Sequence, residues 1–172
     1  KYKEIDWIGG RPAYINESRI LTDIFPQVGA KRRKDIARGY FHQNAYGFLM
    51  QESMFWRRNL YVKSGGINTS LRLAGDYDLW RKFAQYTFFF PVDIPLAAFM
   101  RRTESISKTQ KEKYLSEIAS LYNGSLPYPD FVWKLLSRSK VFTILRRLIT
   151  YRKGLMLQYG VKRRAFIKRS FY

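Results

Sequence analysis

"LAGDYDLWRKF", residues 73–83, is the stretch from which the rest of the chain is best read. Leu79, Trp80, Phe83 and Ala84 follow one another at i, i+1, i+4 and i+5, which is one apolar face of a helix. Asp76 and Asp78 stand just ahead of that face. Three readings of them are open. Aspartate is a favoured N-cap, because its carboxylate accepts a backbone N–H that the first helical turn leaves without a partner, at about 1 kcal/mol. The spelling D-x-D is also a metal-binding pattern. A carboxylate fixed at a helix start is, third, a candidate catalytic base. Spacing alone favours the plain one, a capped amphipathic helix.

Working outward, "RRNLYVKSGG" (57–66) reads as a short helix stopped by two glycines, and "INTSLRLAG" (67–75) as a loop. "GFLMQESMFW" (47–56) suggests a strand or buried loop. "TFFFPVDIPLAAFMRR" (87–102) is β-rich, with Pro91 and Pro95 expected at strand edges or ends. "EIDWI" (4–8) predicts a strand ending at Gly9-Gly10. Residues 11–29 look irregular, and "KRRKDIARGY" (31–40) is a short basic helix ended by Gly39. Tyr114, Ile118, Leu121 and Tyr122 share one face of a helix over 107–122, with Ser105 or Ser107 as its cap and Asn123-Gly124 as its end. "SLPYPD" then breaks the chain, and a domain boundary is placed there.

The chain has 172 residues, enough for one domain with a core. It has no cysteine, which excludes disulfides and thiolate metal sites, and its one histidine, His42, excludes a multi-histidine centre. The formal net charge is +19, a balance that attracts polyanions. After Asp130 there are twelve Lys or Arg and no Asp or Glu. In that segment Val132, Leu135, Leu136, Phe142, Leu145 and Ile149 fall along one stripe, so residues 125–172 predict a basic amphipathic helical tail suited to an anionic membrane surface. No stretch approaches the roughly 20 apolar residues of a membrane span. A basic nucleic-acid-binding module is an alternative on charge and interleaved aromatics, although no RRM, KH, zinc-finger or helix-turn-helix signature accompanies them.

Residues 51–84, "QESMFWRRNLYVKSGGINTSLRLAGDYDLWRKFA", resemble the second half of family 2 (GT-A type) glycosyltransferases. The likeness lies in Gln51, Ser53, Phe55, Trp56, Arg57 and Arg58, in Gly65-Gly66, and in Ala74, Asp76, Tyr77, Asp78, Leu79, Trp80 and Arg81. "PLAAFMRRTESIS" (95–107) is similar to a later motif of that family, and "EIDWIGG" to the strand leading into the acceptor half. Two departures are visible. Gly75 stands where the family often has Glu, and Met100 and Arg102 stand where Arg and His are usual. An arginine at 102 can pair with phosphate oxygens but cannot ligate a metal.

The resemblance implies an α/β fold: part of a GT-A-like mixed sheet with flanking helices over residues 1–124, then the basic helical tail. It also implies a glycosyltransferase fragment, with the nucleotide-binding half and its own D-x-D expected before residue 1. A divalent ion, Mg or Mn, would be held mainly by that other motif, so Asp76-Tyr77-Asp78 is not the metal site. In the implied inverting mechanism Asp76 is the general base. Its place at a helix N-terminus would depress its pKa and keep it ionised. Gln51, Glu52, Arg58, Gly66, Asp78 and Arg102 are the candidate substrate-binding residues. Asp78 reads equally as a first-turn residue favoured by the helix dipole, and Trp56 and Trp80 read as core. The implied partners are a nucleotide-sugar donor and a glycan or lipid-linked acceptor, with no nucleic acid. The implied location is cytoplasmic, peripheral to the inner face of the membrane. A scaffold that binds glycan without catalysis is the other alternative.

Overall fold

The computed structural model describes residues 2–25, 31–101, 110–128, 155–160 and 165–170, the last two segments by their backbone alone. Arg102, Ser105 and Ser107 lie outside these residues, as does most of the expected tail.

The chain is mixed α/β. Its strands are β1 (Trp7–Ile15), β2 (Leu21–Ile24), β3 (Met54–Trp56), β4 (Phe90–Met100), β5 (Leu155–Gly160) and β6 (Ala165–Ser170). Its helices are α1 (Arg33–Ala37), α2 (Arg58–Lys63), α3 (Gly75–Tyr86) and α4 (Lys111–Ser120), with a 3-10 turn at Gln51–Ser53. The sheet runs β2-β1-β4-β5-β6, and β3 pairs with the start of β1. β1 is antiparallel to β2 and β3 and parallel to β4. The connection from β1 to β4 carries α1, α2 and α3, and α3 returns the chain to the sheet.

β1 does not end at Gly9-Gly10 as expected; it continues to Ile15. The glycines are needed for close approach, not for a turn. A Cβ on Gly9 would lie 2.5 Å from the Phe89 ring, and one on Gly10 would lie 2.7 Å from Leu96 Cγ and 2.8 Å from the Ile94 carbonyl oxygen. The obstacle at Gly10 includes backbone, which cannot rotate away. Gly10→Ala should therefore destabilise the chain by about 1–3 kcal/mol, read as a lower urea midpoint with unchanged m-value.

Pro91 is the second residue of β4, near its end as expected, whereas Pro95 sits inside the strand. They face Gly9 and Arg11 of β1, and the register shifts on both sides of Arg11. Proline donates no ladder hydrogen bond, so the irregularities let the strand run through it. Residues 11–29, expected to be irregular, supply the rest of β1 and all of β2. β2 is exposed along its whole length, and no apolar alternation marks it.

The tail differs most from expectation. Residues 155–160 and 165–170 form an antiparallel hairpin, and Val92 of β4 pairs with Leu157 of β5. They are therefore strands, not part of an amphipathic helix. β5 takes the edge of β4 that β1 leaves open, so the backbone groups of both find ladder partners. The apolar stripe from Val132 to Ile149 lies outside the described residues. Among the described residues no helix is long and apolar enough to cross a membrane.

The main core forms between β1 and α3. Trp7 is fully buried and stacks on Trp80, with ring centroids 5.5 Å apart and planes 17° apart. Phe83 and Phe89 meet Trp7 edge-on at 5.6 and 5.0 Å. The apolar face read from Leu79, Trp80, Phe83 and Ala84 is thus the face that α3 buries. These contacts fix α3 against the sheet and aim its N-terminus at the 3-10 turn.

Candidate active site

The N-terminus of α3 opens on a cavity of about 440 Å³ lined by Gln51, Glu52, Trp56, Tyr61, Ile67, Asp76, Leu79 and Trp80. Four short segments within residues 51–80 build it. The 3-10 turn supplies Gln51 and Glu52. The buried Ser53 holds that turn by donating from Oγ to the Ala97 carbonyl of β4 at 3.1 Å. β3 supplies Trp56, which meets Trp80 and Phe83 at 5.4 and 5.6 Å. Trp56 is 39% exposed, so it is not the core residue expected from sequence; its free part faces the cavity. α2 supplies Tyr61, whose hydroxyl accepts from the Ile67 N–H at 3.3 Å. Gly65 and Gly66 both take positive φ, at 79° and 65°, which turns the chain from α2 towards Ile67.

Asp76 lies in the first turn of α3, but it is not the N-cap. That position belongs to Ala74, which has no side-chain acceptor. The N–H groups just ahead of the helix are held from elsewhere. Glu117 of α4 accepts the Leu73 and Ala74 N–H groups on Oε2 at 2.8 and 2.9 Å, and the Arg72 N–H on Oε1 at 3.2 Å. Sequence reasoning missed Glu117, because it stands forty residues downstream in an ordinary surface-helix pattern. Glu117→Ala leaves three N–H groups without their charged acceptor. It should cost about 2–3 kcal/mol, seen as a lower thermal midpoint, and should loosen the very segment that carries Asp76.

The Asp76 carboxylate lies on the cavity wall and also serves the helix start. Its Oδ1 accepts the Tyr77 N–H at 2.7 Å. Burial pushes its pKa up to about 6; the Tyr77 N–H opposes that rise, and the nearby Glu52 carboxylate adds to it. This corrects the expectation of a pKa depressed by the helix N-terminus. Removing the carboxylate from water outweighs the helix dipole, which is worth only about 0.3–1 kcal/mol. Tyr114 of α4 lies close enough to feel the same charge. Burial first, and Asp76 second, push its hydroxyl well above the usual tyrosine range, so it stays neutral.

Asp78 has a different environment. It is 1% exposed and absent from the cavity wall. Arg81 Nη2 lies 2.7 Å from its Oδ1, and Lys82 Nζ lies 2.8 Å from its Oδ2. A buried carboxylate held by two cations on its own helix is structural, so the substrate-binding role expected for Asp78 is withdrawn. Lys82 also donates to the Gly66 carbonyl at 3.1 Å, which ties α3 to the glycine turn. Gly66 and Arg58 do not line the cavity either. Gly66 is buried against the Tyr61 ring, and Arg58 is exposed at the start of α2. Of the expected site residues, Gln51, Glu52 and Asp76 come together. His42 is fully buried, and its Nε2 lies 2.9 Å from the Pro127 carbonyl oxygen.

The two acidic groups on the cavity wall, Glu52 and Asp76, are accompanied there by no Lys or Arg. Among the described residues no group of three or more His, Cys, Asp or Glu is placed to hold a metal ion. These residues do not make a cage for the expected divalent ion, and the chemistry below uses none. Protein-family models give no match to the chain, and neither do curated proteins.

Proposed function

We propose that this chain is the acceptor-side part of a glycosyltransferase resembling family 2, with Asp76 as the general base. The observation that carries this reading is the state of Asp76. It is a carboxylate on a cavity wall, with one oxygen on the Tyr77 N–H and a pKa near 6. A base whose pKa lies just below the working pH is ionised yet still basic enough to accept a proton, which a carboxylate at its ordinary value does poorly.

In the proposed step an acceptor hydroxyl donates its proton to the free oxygen of Asp76 while its oxygen bonds to the anomeric carbon of the donor sugar. The bond from that carbon to the nucleoside diphosphate breaks, and the electron pair leaves with the diphosphate. Gln51 can hydrogen-bond acceptor hydroxyls, and Trp56 offers an aromatic face to a sugar ring. The cavity has no cation for a diphosphate, in keeping with a donor site built by other parts of the enzyme. The nucleic-acid reading gains nothing from this cavity, whose two charged side chains are both acidic.

The test is the pH dependence of sugar-nucleotide turnover by the protein as its gene encodes it. The base must be deprotonated, so kcat/KM should rise with pH through about 6 and then level off. A flat profile from pH 5 to 7 would overturn the assignment of Asp76. Absence of any turnover across a panel of sugar nucleotides would favour the non-catalytic scaffold.

A further inference from the structure

We propose that the C-terminal end of α3, opposite the carboxylate, is a docking face for an anionic lipid surface. This inference is independent of the transfer reading.

Tyr86 and Phe88 are 47% and 60% exposed. Thr87 between them is extended, with φ −143° and ψ 171°, so one extended residue separates the two rings at the end of α3. Each ring carries a cation from a different element. Lys63 Nζ of α2 sits 4.9 Å from the Tyr86 centroid, and the Arg33 guanidinium of α1 sits 5.1 Å from that of Phe88. Val62, beside Lys63, adds a side chain that is 67% exposed. Scattered apolar side chains are normal on a surface, but two adjacent aromatics flanked by cations from two helices form a patch.

The charge around the patch has one sign. Residues 31–38 hold Lys31, Arg32, Arg33, Lys34 and Arg38 against one acid, Asp35, which is buried with Arg32 3.9 Å away. No Asp or Glu occurs in residues 53–75 or 79–92, the stretches that hold α2 with Lys63 and the end of α3. Aromatic rings sit at the headgroup level of a bilayer, and each Lys or Arg near an anionic surface contributes about 1 kcal/mol. Rings and cations at one edge match that layered chemistry. The face lies about 15 Å along α3 from Asp76 at 1.5 Å per residue, so docking there leaves the cavity clear of the bilayer.

The chain has no cysteine, which allows a single-site probe. Phe88→Cys in the full chain, labelled with an environment-sensitive fluorophore, should shift to the blue on vesicles of phosphatidylglycerol and phosphatidylcholine and stay unchanged on phosphatidylcholine alone. The same label at exposed Thr69, near the other end of α3, should stay unchanged on both. Tyr86→Ser with Phe88→Ser should lower partitioning into the anionic vesicles about tenfold while leaving the circular dichroism intact. Three results would overturn the proposal. The first is no binding to anionic vesicles. The second is binding with the label at 88 silent or the double variant unaffected, which would place contact on other basic residues. The third is loss of single-stranded oligonucleotide binding in the double variant with vesicle binding retained, which would make the face a nucleic-acid surface.

Discussion

Asp76→Asn is expected to abolish turnover and to stabilise the chain at the same time. Asparagine keeps the shape and can still accept the Tyr77 N–H, but it cannot take a proton from an acceptor hydroxyl. Loss of a general base costs about 10²–10⁴-fold in rate. The stability effect has the opposite sign. Asp76 has a folded-state pKa of about 6 against an ordinary 3.8. Between these values the folded chain binds a proton that the unfolded chain releases, so its contribution to stability is lost as pH rises from about 4 to about 6. Above pH 6 the folded chain therefore bears a cost of about 3 kcal/mol, at 1.36 kcal/mol per pKa unit. Asn removes it. The gain should appear in thermal midpoints at pH 7 and vanish below pH 4. A variant that is inactive and also less stable at pH 7 would show Asp76 to be a structural residue.

Asp78→Ala is expected to do the reverse: destabilise strongly, with turnover per folded molecule largely kept. Removing the carboxylate strands Arg81 and Lys82 beside the interior, and breaking a buried pair in this way costs about 3–5 kcal/mol. Both cations are about a quarter exposed, at 27% and 26%, and can swing towards water, so the lower end of that range is expected. For a chain of this length about 3 kcal/mol corresponds to a fall of about 6–12 °C in Tm. Differential scanning calorimetry of the two variants side by side separates the two aspartates: one midpoint rises and the other falls. If both fell by similar amounts, the assignment of distinct roles to Asp76 and Asp78 would fail.

Much of the framework was legible in the sequence because it rests on local rules. The apolar face of α3 follows from helical spacing, and the stop after α2 from two glycines that tolerate positive φ. The place of α1 follows from a short basic run ended by Gly39. Where local rules misled, a tertiary contact had replaced the usual one. Gly9-Gly10 looked like a strand end, but the glycines serve close packing of Phe89 and Leu96 on β1. Both prolines are expected at strand edges or ends; Pro91 is next to the start of β4, but Pro95 lies inside it, where the register shifts on both sides of its partner Arg11. The segments 155–160 and 165–170 were read as helix from charge and an upstream stripe, whereas their backbone pairs as a hairpin beside β4.

The site divides the same way. Sequence by itself determined that residues 76–86 form an amphipathic helix with acid in its first turn, and the resemblance put Gln51, Glu52 and Asp76 among a longer set of candidates with Arg58, Gly66, Asp78 and Arg102. Spacing alone does not separate Asp76 from Asp78, and only the resemblance assigns the base to Asp76; what surrounds each carboxylate is not written in the spacing. Tertiary structure decided that. Glu117 holds the N–H groups of residues 72–74 ahead of α3, Asp76 lies on the cavity wall with one oxygen on the Tyr77 N–H, and burial raises its pKa. Asp78 turns inward to Arg81 and Lys82. The reason is physical: a carboxylate's role is set by its hydration and its nearest charges, and both depend on α4, the 3-10 turn and β3, which only folding brings to the start of α3.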